Sequence, residues 1–135
     1  MEPRFRPAGE SDVDRLLGFM RSLYAVDLLP FDASASRPVL ERIVRDASLG
    51  SVWLVEIEGE PVGYVVLTLG YSLEYLGRDA VIDELYVDPA WRHRGIGSKT
   101  IEFVVDVCRS RGVRSVHLGV HEKNLRAQAL YRRAG

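Results

Sequence analysis

The sequence contains one cysteine, Cys108, in 135 residues. A single thiol closes no internal disulfide, so stability must come from packing, and this usage fits a reducing compartment. Neither sign of charge dominates: 18 basic side chains face 19 acidic ones, a net charge of -1. No global field recruits nucleic acid or an anionic membrane, so any anion site has to be built locally. Long apolar runs are missing too; none approaches the ~18 residues a membrane span needs. The opening Met-Glu-Pro-Arg-Phe-Arg-Pro is too polar for a signal peptide. No internal repeat or low-complexity segment occurs. These absences lead to the expectation of a cytoplasmic protein with neither nucleic acid nor membrane as partner.

What remains is the balance of a globular domain, 47% hydrophobic and 27% charged, with a length that suits a single domain over residues 1–135. Phe5 between Arg4 and Arg6 predicts a short strand. Ser11-Asp12-Val13-Asp14 predicts a helix start, with Ser11 as cap and Asp14 reaching back. Val13, Leu16, Leu17, Met20 and Tyr24 then follow helical spacing. Residues 27–36 read as a connection, followed by a helix with Pro38 in its first turn and Leu40, Ile43 and Val44 inward.

From residue 52 the period changes to that of strands. Residues 52–57 and 62–69 predict a hairpin around a turn at 58–61, and 80–87 a further, strongly apolar strand. A glycine-rich turn leads into a helix with Ile101, Val104, Val105 and Cys108 on one face and Gly112 at its C-terminal end. Residues 113–120 predict a strand and 124–134 a last helix carrying Ala127, Leu130 and Tyr131. The order implies a mixed α/β fold in which the hairpin is antiparallel and the final strand–helix–strand piece a right-handed parallel crossover.

Arg92, His93, Arg94, Gly95, Ile96 and Gly97 lie between a buried strand and an amphipathic helix. Such a turn aims free backbone N–H groups and the positive end of a helix dipole at one place, which suits an anion. Gly95 and Gly97 admit a phosphate close to the backbone, Arg92 and Arg94 can add charge-assisted bonds, and Ser98 can cap or donate. Two other phosphate motifs fail here. The dinucleotide fingerprint wants glycine where Thr100 stands, and the P-loop wants its lysine one residue earlier than Lys99. By itself the loop is also compatible with a tight strand-to-helix turn that binds nothing.

Three stretches together are more specific: Glu84-Leu85-Tyr86-Val87-Asp88-Pro89, then Arg92 to Gly97, then Asn124-Leu125-Arg126-Ala127 with Ala129-Leu130-Tyr131-Arg132-Arg133-Ala134-Gly135. In order and spacing they resemble the cofactor half of the GNAT superfamily of N-acetyltransferases. The resemblance implies a mixed, mostly antiparallel sheet flanked by helices, with a splayed parallel strand pair. It also implies an enzyme that moves an acetyl group from acetyl-CoA, as co-substrate and without a metal, to a primary amine of a small molecule or a protein. Main-chain groups of Leu85, Tyr86 and Val87 would meet the pantetheine arm. Amides of Arg92, His93, Arg94, Gly95, Ile96, Gly97 and Ser98 would hold the pyrophosphate. Asn124 would contact the arm as well as cap the last helix. Relatives usually continue past the equivalent of Gly135 with an aromatic residue and two more strands; either the sequence is clipped there, or the fold lacks those strands and an open sheet edge would invite a partner chain, a homodimer included.

Amine acetylation needs a base for the ammonium, N–H donors for a developing oxyanion and an acid for the thiolate. The resemblance gives the acid role to Tyr131, which could equally be a core residue on the stripe with Ala127 and Leu130. Glu84 is the expected base and Asp83 its rival, since strand alternation puts the two on opposite faces, though Glu84 could equally be an edge carboxylate or a substrate clamp. Gly119 stands where relatives that acetylate protein N-termini carry their base, which speaks against that subgroup. Glu74, Asp79, Asp83 and Glu84 either line an acidic acceptor side or form no more than a solvated acidic edge, and Tyr24, Leu28 and Phe31 are expected to shape the pocket. His117, His121 and Cys108 carry no metal-ligand spacing. The alternative from another class is a non-catalytic acyl-CoA-binding sensor or partner domain.

Overall fold

A computed structural model of the chain describes residues 2–119. The helix expected over 124–134, with Asn124 and Tyr131, and also His121, lie outside the described residues. The elements in chain order are β1 (Arg4–Pro7), α1 (Val13–Val26), α2 (Ala33–Arg45), β2 (Gly50–Ile57), β3 (Glu60–Ser72), β4 (Gly77–Val87), α3 (Ile96–Ser110) and β5 (Ser115–Leu118). The sheet runs β1-β2-β3-β4-β5, antiparallel through its first three pairings and parallel in the last. The expected mixed sheet and its element order are present among the described residues.

Two helix starts differ from expectation. Residues Glu10–Asp12 form a 3-10 turn, and the Asp12 carboxylate, rather than Ser11, does the capping: it accepts the Gly9 N–H at 2.8 Å and is held by Arg6 of β1. Asp14 does not reach back; it pairs with Arg37 of α2. Helix α2 begins well before Pro38, because the Asp32 side chain accepts the N–H groups of Ser34 and Ala35 at 2.9 and 3.3 Å. Two free amides satisfied by one carboxylate outweigh the proline's preference for a first turn. The connection expected over 27–36 shortens accordingly.

The hairpin of β2 and β3 turns at Glu58 and Gly59, whose φ of 51° and 81° match the turn that follows the right-handed twist of strands. The sheet then separates two cores. Val52, Leu54, Tyr64 and Val66 face α1 and α2, packing with Val13, Leu16, Leu17, Met20 and Leu23. Their neighbours Trp53, Val65 and Leu67 face α3 and meet Ile101, Val104 and Cys108. Each such buried side chain contributes roughly 1.5–3 kcal/mol of transfer free energy, and strict alternation delivers them to both layers.

Strand β4 breaks that alternation. Val66 lies opposite Glu84 but Leu67 lies opposite Ile82, so Asp83 is an extra residue with no partner on β3. The consequence is visible in the packing. Ala80 and Ile82 belong to the α3 core, while Tyr86, of the same parity, belongs to the α1 side. This is a β-bulge, which flips the face of every later side chain and bends the strand. The expectation that simple alternation separates residues 83 and 84 is corrected: Asp83 is the bulged residue.

Close backbone approach around this strand leaves no room beside Gly63. A Cβ built there falls 2.1 Å from the Tyr86 carbonyl oxygen. We expect Gly63→Ala to lower the unfolding free energy by about 1–3 kcal/mol, read from urea denaturation; an unchanged midpoint would contradict the packing described.

Candidate functional site

Beyond the bulge, the main chain of β4 has two sides. The Tyr86 carbonyl points at β3, as the contact with Gly63 shows, and the Asp88 N–H donates to the Val62 carbonyl on that side at 2.7 Å. Alternation therefore turns the main-chain groups of Leu85 and Val87 the other way, toward the β5 side. Among the described residues, the ladder to β5 covers Asp79 to Ile82, and the Gly119 N–H donates to the Ile82 carbonyl at 2.9 Å. The strand pair is thus zipped up to the bulge, and Leu85 and Val87 lie past that stretch. On the Val87 carbonyl the structure places Arg92, whose Nε donates at 2.8 Å.

The loop expected to hold an anion is a turn with two left-handed residues, His93 at φ 66° and Gly95 at φ 77°. Gly95 precedes the first helical residue, Ile96, and its carbonyl accepts the Lys99 N–H at 3.1 Å, the bond that opens the helix. The amides of Ile96, Gly97 and Ser98 come before that bond, so they are the helix's N-terminal donors. Thr100, the residue that spoiled the dinucleotide fingerprint, is buried under them and returns its hydroxyl proton to the Ile96 carbonyl at 2.7 Å. Arg92 lies 5.6 Å from the Tyr86 ring centre and Arg94 4.9 Å from that of Trp91. Both arginines are therefore braced on aromatic faces beside the helix end.

On the α1 side of the same strand stands Glu84. Its Oε2 accepts the Tyr24 hydroxyl at 2.5 Å and its Oε1 the Tyr64 hydroxyl at 2.7 Å. Tyr64 is fully buried and Tyr24 half-buried. Burial pushes the Glu84 carboxyl above the ordinary glutamate range; the two phenols pull it down, and Asp83 and Asp27 push it up again. Burial likewise raises both phenols, with Glu84 adding to the effect, so neither tyrosine is a phenolate near neutrality. The bulge exposes Asp83, whereas Glu84 is half-buried.

The four carboxylates of the acidic acceptor-side reading are not together. Glu74 lies in the β3–β4 turn and Asp79 near the start of β4; at about 3.3 Å per residue, Asp79 is roughly 16 Å along the strand from Glu84. The acidic neighbours that bear on Glu84 are Asp83 and the buried Asp27 at the end of α1. Tyr24 and Phe31 do meet, edge to face at 5.4 Å, while Leu28 points largely into solvent. Cys108 is buried in the α3 core, where burial raises its thiol. Among the described residues no group of three or more His, Cys, Asp and Glu side chains could hold a metal ion. Tyr64 and Asp27 escaped the sequence reading, and Tyr24 entered it only as a stripe and pocket residue. No spacing rule links positions 24, 64 and 84.

A strand bulged beside a parallel neighbour, ending in a turn whose helix offers its N-terminal amides, defines a fold that can accept a phosphate-bearing extended ligand. The sequence from residue 17 to 135 matches the model of the acetyltransferase (GNAT) family, and the chain belongs to that family. It is 31% identical over 144 residues to a thialysine N-epsilon-acetyltransferase of Bos taurus, covering 96% of this chain and 81% of that one. A crystal structure of an integron cassette protein from the mobile metagenome of Cole Harbour Salt Marsh is similar at a TM-score of 0.85 and 30% identity. That likeness covers 97% of this chain and 81% of the other. An aminoglycoside N-acetyltransferase solved with CoA shares the fold at a TM-score of 0.83 and 14% identity, over 99% and 87% of the two chains.

The protonation of Glu84 should be legible in stability. Its folded-state pKa lies above the unfolded one, so the folded chain holds this proton more tightly. The contribution is therefore full below the ordinary glutamate value of about 4.3 and is lost as pH rises through the raised folded value. Relative to Glu84→Gln, the wild type should lose urea midpoint as pH rises from the ordinary glutamate range through the raised folded value; a constant difference across that rise would contradict it.

Proposed function

We propose that the chain transfers the acetyl group of acetyl-CoA to a primary amine, with Glu84 receiving the amine's proton. The observation that carries this reading is the half-buried Glu84 carboxylate on the strand whose Leu85 and Val87 main-chain groups face away from β3. The same strand then serves both ligands. Its backbone past the bulge offers hydrogen bonds to an extended pantetheine arm, in the manner of an added strand. The amides of Ile96, Gly97 and Ser98 offer donors to the pyrophosphate, and the Arg92 and Arg94 guanidiniums add positive charge at the same end.

Acetyl-CoA supplies an activated thioester, so the protein's task is proton handling and placement. An acceptor ammonium with a pKa near ~10.4 must be deprotonated before it attacks. A carboxylate with a raised pKa is a better match to that task than an ordinary one, directly or through one water. The N–H of Val87 or its neighbour answers the negative charge that builds on the carbonyl oxygen. Tyr131 takes the role of acid to the leaving thiolate on the strength of the family resemblance. Asp83 and Asp27 beside Glu84 favour a cationic acceptor, and the relative named for the Nε of thialysine supports a terminal alkyl amine over an N-terminal α-amine. We further propose a cytoplasmic location.

Thiol release from acetyl-CoA across thialysine, lysine, polyamines and aminoglycosides tests the reading. At least one amine should drive release, and Glu84→Gln should lower kcat/KM by about 100-fold or more. Gly97→Val should weaken CoA binding, and Tyr131→Phe should lower kcat. CoA binding without release for any amine would select a non-catalytic acyl-CoA-binding domain instead, and undiminished turnover in Glu84→Gln would remove that residue from the mechanism.

A further inference from the structure

The contacts of Glu84 go further than its own role. A glutamate side chain has three free torsions, and a carboxylate left to itself samples them at an entropic cost to any fixed geometry. Here each of its two oxygens accepts one phenol, at 2.5 Å from Tyr24 and 2.7 Å from Tyr64. The donors come from different layers, Tyr64 from the middle of β3 and Tyr24 from the last turns of α1. Tyr64 is fixed by full burial and by two ring neighbours, Phe19 stacked and Tyr86 tilted, with ring centres 6.2 Å away in both cases. Tyr24 is fixed by its edge contact with Phe31, a ring that also carries the Arg21 guanidinium 5.1 Å from its centre.

Two donors use about half of the four acceptor positions of a carboxylate, so Glu84 is oriented and still able to take a proton. We infer that Tyr24 is a positioning residue for the proposed transfer: its hydroxyl, opposite that of Tyr64, sets the orientation of the Glu84 carboxylate and keeps it charged in a half-buried site. The inference rests on reading Glu84 as the proton acceptor. The groups facing Glu84 divide clearly. Tyr24 from α1 and Tyr64 from β3 stabilise the carboxylate, whereas Asp27 from α1 and Asp83 from β4 oppose it, in line with burial.

Tyr24→Phe separates the hydroxyl from the ring, since the ring can keep its contact with Phe31. The experiment is a carbon-detected NMR titration of the Glu84 carboxyl, assigned with Glu84→Gln, in wild type and Tyr24→Phe. The Glu84 midpoint should rise by about one unit in the variant, and the acid limb of kcat/KM against pH should move the same way. An unmoved midpoint overturns the inference, and so does a loss of kcat with the limb in place, which would mark Tyr24 as packing only. The midpoint is read without turnover, so it decides the positioning separately from whether any amine is acetylated.

Discussion

One extra residue in β4 organises the site. Because Asp83 has no partner on β3, the strand changes face between Ile82 and Glu84. Without that change Glu84 and Tyr86 would continue the α3 core that Ala80 and Ile82 occupy. With it, Glu84 meets α1, Tyr86 enters the core under α1 and α2, and Leu85 takes the place facing α3. A single strand thereby supplies packing for one layer below the bulge and a polar group to the other layer above it. Bulges cost ladder hydrogen bonds and are found where a strand must re-aim a side chain; this one does that beside the parallel pairing of β4 with β5.

The electrostatics follow from the same constraint. A carboxylate turned into a half-enclosed space raises its own pKa, and two neighbouring acids raise it more. The two phenols oppose that trend without introducing a positive charge, which leaves the site attractive to a cation. Past the end of the strand the balance is reversed. There the donors are backbone amides at the start of α3, with Arg92 and Arg94 braced on Tyr86 and Trp91. An anionic ligand and a cationic one would thus meet the same half of the strand, past the bulge, one at the loop that follows Val87 and the other at the Glu84 side chain.

The fold was legible because its signals are local. Helical spacing from Val13 to Met20, alternation through β2 and β3, and the Glu58-Gly59 turn each report on their own segment, and the sheet order follows. The loop from Arg92 to Gly97 was legible for the same reason, since a left-handed glycine before an amphipathic helix is a local event. What sequence reading got wrong was either a local choice between competing caps or a contact with partners distant in the chain. The cap at Asp12 is fixed by Arg6 across a turn, and the start of α2 by a carboxylate at Asp32 that competes with Pro38. The bulge at Asp83 is defined only against β3, and the Glu84 contacts join residues 20 and 60 positions away. Of the two readings of the acidic residues, the gathered one does not hold for Glu74 and Asp79, because nearness in sequence along a strand is distance in space.

Residue-resolved amide hydrogen exchange with and without CoA tests the central claim most directly, because it reads the strand past the bulge and the helix start in one experiment. The account requires added protection at Leu85 and Val87, whose amides face away from β3, together with protection at Ile96, Gly97 and Ser98. Protection that bypasses both segments, or that falls on the opposite edge of the sheet at β1, would contradict it.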